Sequence, residues 1–425
     1  MDLPNVPVQP ADTSYAAFAA IDWADKKHDW ALQVAGSGKI ERGVVENTPE
    51  AVDVWAAELA RRFEGRPIAV ALEQSRGAVV WMLTKYAHLI LHPVHPAMLS
   101  SYRKSFYPSG AKSDQLDTDL LLDLLTRHPD RLKPLRPDTV ETRTLQMLVE
   151  ERRKLVDDKT RDSNRLTGWL KQFFPQILDW FDNPCAPIAM DFLKRWPTLP
   201  ELQKARPETV RKFFRQHNSR GTERIEIRIE QIRVAEPATR DEAVLEVGVL
   251  MAANLIGIVA TMCKAIDGLE TRIGELMKVH PDAAVIESFP GAGPAMAPRL
   301  IAALGTNRDR FATAVELQCY SGIAPVIASS GNRKYVHWRW ACSGFVRQTF
   351  HEWAGHSMKS SQWAREFYAQ QRAKGKSRHA AIRSLAFKWE RILFRCWKDR
   401  VPYDEAKYEA SLHRNTPKLA ANAAG

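Results

Sequence analysis

Residues 15–34 read YAAFAAIDWADKKHDWALQV, and this stretch decides the fold. Residues 15–21 form a short apolar run, which predicts a core strand, and Asp22 closes it. A basic turn at Lys26-Lys27 leads to a second strand around residues 30–34. Gly36-Ser37-Gly38 supplies the hairpin signal that returns residues 40–45 as a third strand. Thr48-Pro49-Glu50 starts a helix, with Thr at the N-cap and Pro at the first helical position, and feeds residues 52–59. Residues 67–72 read as a fourth strand, 77–86 as a helix and 89–94 as a fifth strand.

A three-strand meander followed by helix, strand, helix, strand is the order expected of an RNase H-like α/β sheet. Within it, Asp22 and Glu73 each end a strongly apolar run, where a carboxylate without a partner is costly. Asp114 and Asp117, in GAKSDQLDTDLLLDLL, sit three apart at the start of a helical pattern and so share one face. Four such acids brought together repel unless cations lie between them, and carboxylate-rich oxygen sites suit Mg²⁺ or Mn²⁺. Taken singly, each acid also fits a strand end or a helix cap. Asp25, Asp29 and Asp119 read as solvated neighbours.

The net charge of +11 over 425 residues, with a pI near 9.4, favours a polyanionic partner without naming it. The length predicts more than one domain. Five widely spaced cysteines with no CxxC pair argue against a zinc site or a disulfide framework and fit a reducing, cytoplasmic compartment. Residues 1–14 lack the basic start and apolar core of a signal peptide and read as a disordered leader. Residues 247–263 carry no charge, but the run falls short of the roughly 20 residues of a membrane span and continues as a helical stripe with charges between. No membrane partner is expected.

Residues 96–112 interleave Arg103, Lys104 and Lys112 with Tyr102, Phe106 and Tyr107, a mixture suited to a phosphate backbone with an unstacked base nearby. Two long helical patterns, about 140–174 and 239–279, flank a small helical insert and suggest an arm (140–283) that mediates self-association. Arg152, Lys159 and Asp162 fall on the seam of the first, which predicts packing at both ends and a wetter middle. From residue 284 the chain becomes mainly α-helical. Pro290-Gly291-Ala292-Gly293 lies between two helical segments like a helix-hairpin-helix turn, whose backbone N–H groups can meet a phosphate. Ser329, Ser330 and Gly331 form a short flexible segment followed by Arg333, Lys334 and Arg339, where a serine can act as nucleophile or simply make a turn. Residues 371–400 hold ten Lys or Arg against two acids, Glu390 and Asp399, and their apolar face predicts outward cations. Residues 401–425 read as a tail, disordered towards its end.

In these motifs the chain resembles the DEDD transposases of bacterial insertion sequences. AAIDWADKKHDWAL carries Asp22, VALEQSRG carries Glu73, and KSDQLDTD carries Asp114 and Asp117. SFPGAGPAMAPRLIAALG, DRFATAVELQCYSGIAP and SSG follow in order, with Ser330 the match to the family's serine and Ser329 its neighbouring alternative. The resemblance spans about residues 16–400. It departs after the serine, where YVHWRWACSGFVRQTF replaces the family's usual basic segment. It implies a RuvC-like domain (15–139) with Mg²⁺ on the four acids, and a C-terminal domain (284–400) bearing the serine. It further implies strand exchange on double-stranded DNA (element ends and target) guided by a structured bridge RNA, in a dimer that assembles to a tetramer on DNA. The alternatives are a junction-resolving endonuclease using metal-activated water and an inactive nucleic-acid scaffold.

Overall fold

The computed structural model describes residues 14–109, 113–219, 221–331 and 333–410. The leader, apart from Ser14, and the end of the tail lie outside them. The chain divides into two compact units, Met1–Pro137 and Asp138–Gly425.

The first unit is a five-stranded mixed sheet between helices. β1 (Ala17–Asp22), β2 (Lys27–Val34) and β3 (Ile40–Glu46) form an antiparallel meander. β4 (Ile68–Leu72) and β5 (Leu89–Pro93) add in parallel beside β1, giving the order β3-β2-β1-β4-β5. β4 lies between two parallel neighbours and is buried along its length, so its sequence IAVAL shows no polar alternation. β2 starts at Lys27, ahead of the apolar run, because its ladder with β1 continues to the pair Asp22–Asp29.

Successive residues of β1 face opposite layers. Ala17, Ala19 and Ile21 pack beneath α1 (Pro49–Arg62) and α2 (Ala78–Leu83). Thr48 caps α1 by accepting from the Ala51 N–H at 3.2 Å, a contact worth about 1 kcal/mol. On the other side Ala20, Ala31, Ala69 and Ala71 leave room for leucines of α4 (Asp114–Arg127) and for Leu99 of α3 (Pro96–Phe106). That alanine-lined face is the one on which the acids fall.

The second unit is mainly helical. α5 (Val140–Phe173) is followed by α6 (Gln176–Trp180), α7 (Pro187–Arg195), α8 (Leu199–Gln203), α9 (Pro207–Gln216) and α10 (Thr222–Val234). α11 (Glu242–Val279) returns along α5. The two long helices pack into separate cores at their ends. Leu145 and Val149 meet Ile273, Leu276 and Met277 at one end, while Leu166, Leu170 and Phe173 meet Leu255, Ile256 and Val259 at the other. Between the cores Arg152 Nε donates to Glu270 at 2.8 Å, as a wetter middle predicts, whereas Asp162 is buried and pairs with Arg165 at 2.8 Å. By length and composition α11 could cross a membrane, and only 28% of its most apolar window is buried. Its free face exposes Val247, Leu250 and Ile258.

The larger core gathers α12 (Ala283–Glu287), α13 (Ala297–Leu304), α14 (Ala314–Tyr320), α15 (Gly344–Ser357), α16 (Gln362–Ala373) and α17 (Arg378–Asp399) around the buried Trp353, Trp389 and Trp397. Tyr403 continues this core beyond α17. It stacks on Phe289 at 4.9 Å and accepts from Trp363 Nε1 at 2.9 Å, so the start of the sequence-read tail is ordered. The five cysteines are free.

Two sequence expectations need correction here. β6 (Val326–Ser330) and β7 (Arg333–His337) form an antiparallel hairpin where the sequence reads as flexible. No core lies behind this ribbon, so it carries no apolar alternation to announce it. Second, not all cations of α17 point outward. Lys388 lies over the rings of Trp363 and Phe367, and Lys398 Nζ donates to the Arg308 carbonyl at 2.5 Å. On the same helix Glu390 is wholly buried. Ser321 lies alongside, but its hydroxyl donates to the Gln318 carbonyl at 3.1 Å, and neither Glu390 oxygen has a hydrogen-bond partner. Burial holds the Glu390 carboxyl well above the usual carboxylate range.

Candidate active site

Two of the four acids share one rim of the first unit. β1 and β4 are adjacent and parallel, with Ile21 opposite Leu72, so Asp22 at the end of β1 and Glu73 directly after β4 emerge at the same edge. Asp22 shares the face of Ala20, beneath α4. α4 begins at Asp114 because Ser113 caps it, accepting from the Leu116 N–H at 3.2 Å, and acids in its first turn suit the helix dipole. Asp114 is exposed on that turn, whereas Asp117 is only 3% exposed.

The structure gives Asp117 a partner that the sequence does not show. Arg103 of α3 reaches it, Nε donating to Oδ1 at 2.7 Å, with Nη2 also ion-paired to that oxygen. The expected phosphate ligand Arg103 is thus turned onto an acid. Tyr102 is also engaged, donating to Asp123 at 2.6 Å. Lys104 stays exposed, and Lys112 lies outside the described residues.

Asp29 is a half-exposed neighbour that sits directly across the ladder from Asp22, and cross-strand partners share a face. Two like charges set opposite one another are unfavourable unless a cation intervenes. Asp119 does not join them, because Arg42 holds it in a bidentate pair at 2.9 and 3.2 Å.

For a divalent cation, the donor chemistry fits: hard carboxylate oxygens from two strand ends and one helix face. The spacing in this structure is more open. Among the described residues no three His, Cys, Asp or Glu lie close enough to hold a metal ion, and Arg103 supplies positive charge at Asp117.

Ser330 is carried by the second unit at the tip of the hairpin. It pairs with Arg333 across the ladder, while Ser329 pairs with Lys334. The two serines therefore face opposite sides of the ribbon, and both are exposed. Gly331 takes the left-handed φ of 55° that a tight hairpin turn demands. Ser330 shares its side with Arg333, Tyr335 and His337, and Arg339 lies beyond the strand, its Nε donating to the Ala324 carbonyl at 3.3 Å.

Gly291 has a packing reason of its own. At φ 76° it lies against the backbone of α15, where an added Cβ would come within 2.6 Å of the Ser357 nitrogen. Trp353 Nε1 ties the same turn down by donating to the Pro290 carbonyl at 3.0 Å. Gly293 is open, with nothing near its missing Cβ, and its carbonyl accepts from the Met296 and Ala297 N–H groups.

Two family models match along the chain in order. One, a DEDD model of IS110 type described as "Transposase", covers residues 19–175 and takes in all four acids. The class is that of a transposase, an enzyme that binds and processes DNA. The second, "Transposase IS116/IS110/IS902 family", covers residues 283–369 and takes in the hairpin. The chain belongs to this family of insertion-sequence transposases. It is 26% identical over 409 residues to the mini-circle putative transposase for IS117 of Streptomyces coelicolor, covering 94% of this chain and 98% of that one. It is 27% identical over 385 residues to the insertion element IS110 uncharacterized 43.6 kDa protein of the same organism, with 89% and 92% covered.

Proposed function

We propose that the first unit is an RNase H-like, RuvC-like nuclease fold and that the chain is a site-specific recombinase moving its insertion sequence by cleavage and strand exchange. One observation carries this reading: Asp22 and Glu73 close adjacent parallel strands at one edge of the sheet, and α4, which carries Asp114 and Asp117, packs on β1. These four acids would hold Mg²⁺, with Mn²⁺ as a substitute, and the ion supplies Lewis-acid polarisation of the phosphate.

Ser330 is the nucleophile. Its oxygen attacks phosphorus, its proton passes by way of solvent to the departing sugar oxygen as the bond from that oxygen to phosphorus breaks, and a phosphoserine ester conserves the phosphodiester. The hydroxyl of an incoming strand then reverses the step. Arg333, opposite Ser330, places positive charge beside that phosphate, and Lys334 follows it in the strand. Resemblance to the family supports a structured bridge RNA as guide. The exposed apolar face of α11 supports assembly of two copies through the arm, with a tetramer on DNA. This reading places the protein in the cytoplasm, on the nucleoid when bound.

The test is a denaturing gel of labelled DNA with Ser330→Ala and Ser329→Ala, followed by peptide mapping of any adduct. Ser330→Ala should keep DNA and RNA binding but lose covalent adduct and recombinant product, while Ser329→Ala retains both. Recombination by a variant lacking both hydroxyls would overturn the serine mechanism and favour a nuclease using metal-activated water.

A further inference from the structure

Trp338-Arg339-Trp340 follows the hairpin and has no part in the acid rim or the serine turn. Trp340 is 79% exposed and Trp338 45%. Their rings lie 6.4 Å apart and tilted by 30°, so they present two broad indole surfaces of nearly common orientation. Indole left in water at this scale marks a binding surface.

Positive charge surrounds the pair. Arg383 of α17 lies over the Trp338 ring and Arg347 of α15 sits 5.7 Å from its centre. Arg347 Nη1 reaches the Arg339 carbonyl at 3.4 Å and the Cys342 sulfur at 3.6 Å, while Arg339 donates to a carbonyl of its own neighbourhood. Glu352, on the same helix as Arg347, is engaged by Arg299 and Gln348. Burial first, and the Arg347 charge second, hold Arg383 below the usual guanidinium range. Guanidiniums gathered with backbone carbonyls and sulfur as neighbours leave room for an anion.

A flat apolar surface flanked by like cations selects a ligand that is flat at one end and anionic at the other. We infer that Trp338 and Trp340, with Arg339, Arg347 and Arg383, bind one unpaired DNA nucleotide, its base stacked on the open Trp340 face and its phosphate on the arginines. Position argues for DNA. Arg333 pairs with Ser330, and the strand from there to Trp338 spans about 17 Å at the usual rise, a few nucleotides from the proposed reacting phosphate. Only this choice of DNA rests on the recombinase reading; the stacking site does not.

Single-stranded oligonucleotides carrying one 2-aminopurine report stacking by fluorescence quenching and can be titrated into the full chain. The wild-type chain should quench a DNA probe. Trp340→Ala should weaken binding of that probe roughly tenfold and abolish the quench, while Trp340→Phe restores most of both. Arg383→Gln should weaken binding and flatten its salt dependence, and blunt-duplex affinity of Trp340→Ala should match wild type. Unchanged affinity and quenching in Trp340→Ala would overturn the site. A quench with an RNA probe alone would overturn the DNA assignment. A switch of Trp340→Ala to a smaller oligomer, with probe binding intact, would reassign the surface to a second copy of the chain. These readouts measure binding, so failure of the Ser330 adduct test leaves them unaffected, and loss of stacking leaves the adduct test intact.

Discussion

The acid rim of the first unit and the serine hairpin of the second hold their reactive groups in opposite ways. Asp22, Asp29 and Asp117 sit on strands and a helix backed by a packed, alanine-lined layer, and Asp117 is clamped by Arg103. In the hairpin every residue from Ile327 to Ser330 is exposed. A two-stranded ribbon is marginal by itself, so the hairpin depends on what it meets for its final order. Charge is thus held by a scaffold, whereas the hydroxyl is presented by an element that a bound partner can complete.

The comparison breaks most readily at the acids. Asp22→Asn or Asp117→Asn should lower strand cleavage in Mg²⁺ by about 10²–10³-fold with the fold intact, measured on labelled substrate. Asp29→Asn should lower it too, because Asp29 faces Asp22, whereas Asp25→Asn should be nearly silent. Wild-type cleavage by Asp117→Asn would remove that residue from the site.

Arg103→Ala tests the clamp. It strands a buried carboxylate and should destabilise the first unit by about 3 kcal/mol in denaturant melts, with Arg103→Lys losing less. An unchanged midpoint would show that the rim does not depend on this pair.

Glu390 sharpens the contrast, being a buried acid without a clamp. Its folded pKa is raised, so its contribution to stability is fully present below the unfolded value near 4.5 and is lost as pH rises towards the folded value. Glu390→Gln should therefore be more stable than wild type by about 1–3 kcal/mol at pH 8, with a flatter stability profile above pH 4.5 in thermal melts. An unchanged slope would mean that Glu390 finds a partner in solution.

The smallest effect belongs to the hairpin. Tyr335→Ser, at an exposed position, should change stability by less than about 0.5 kcal/mol by the same melts. A larger loss would show that the ribbon packs on the body of the protein after all.

Much of the first unit was legible from its residues. Apolar runs ending in Asp22 and Leu72, the Gly-Ser-Gly turn and the Thr48-Pro49 cap are local signals, and strand periodicity is a property of neighbours along the chain. Sequence alone therefore determined the order of strands and helices, the two long helices with polar middles, and the motifs that carry the acids and the serine. Tertiary structure decided which charges meet. It set Asp29 opposite Asp22, turned Arg103 onto Asp117, drew Lys388 over Trp363 and placed Gly291 against α15. It also separated Ser329 from Ser330 by folding a hairpin with no core behind it. Such partners are chosen by packing among residues distant along the chain, and no local period records that choice.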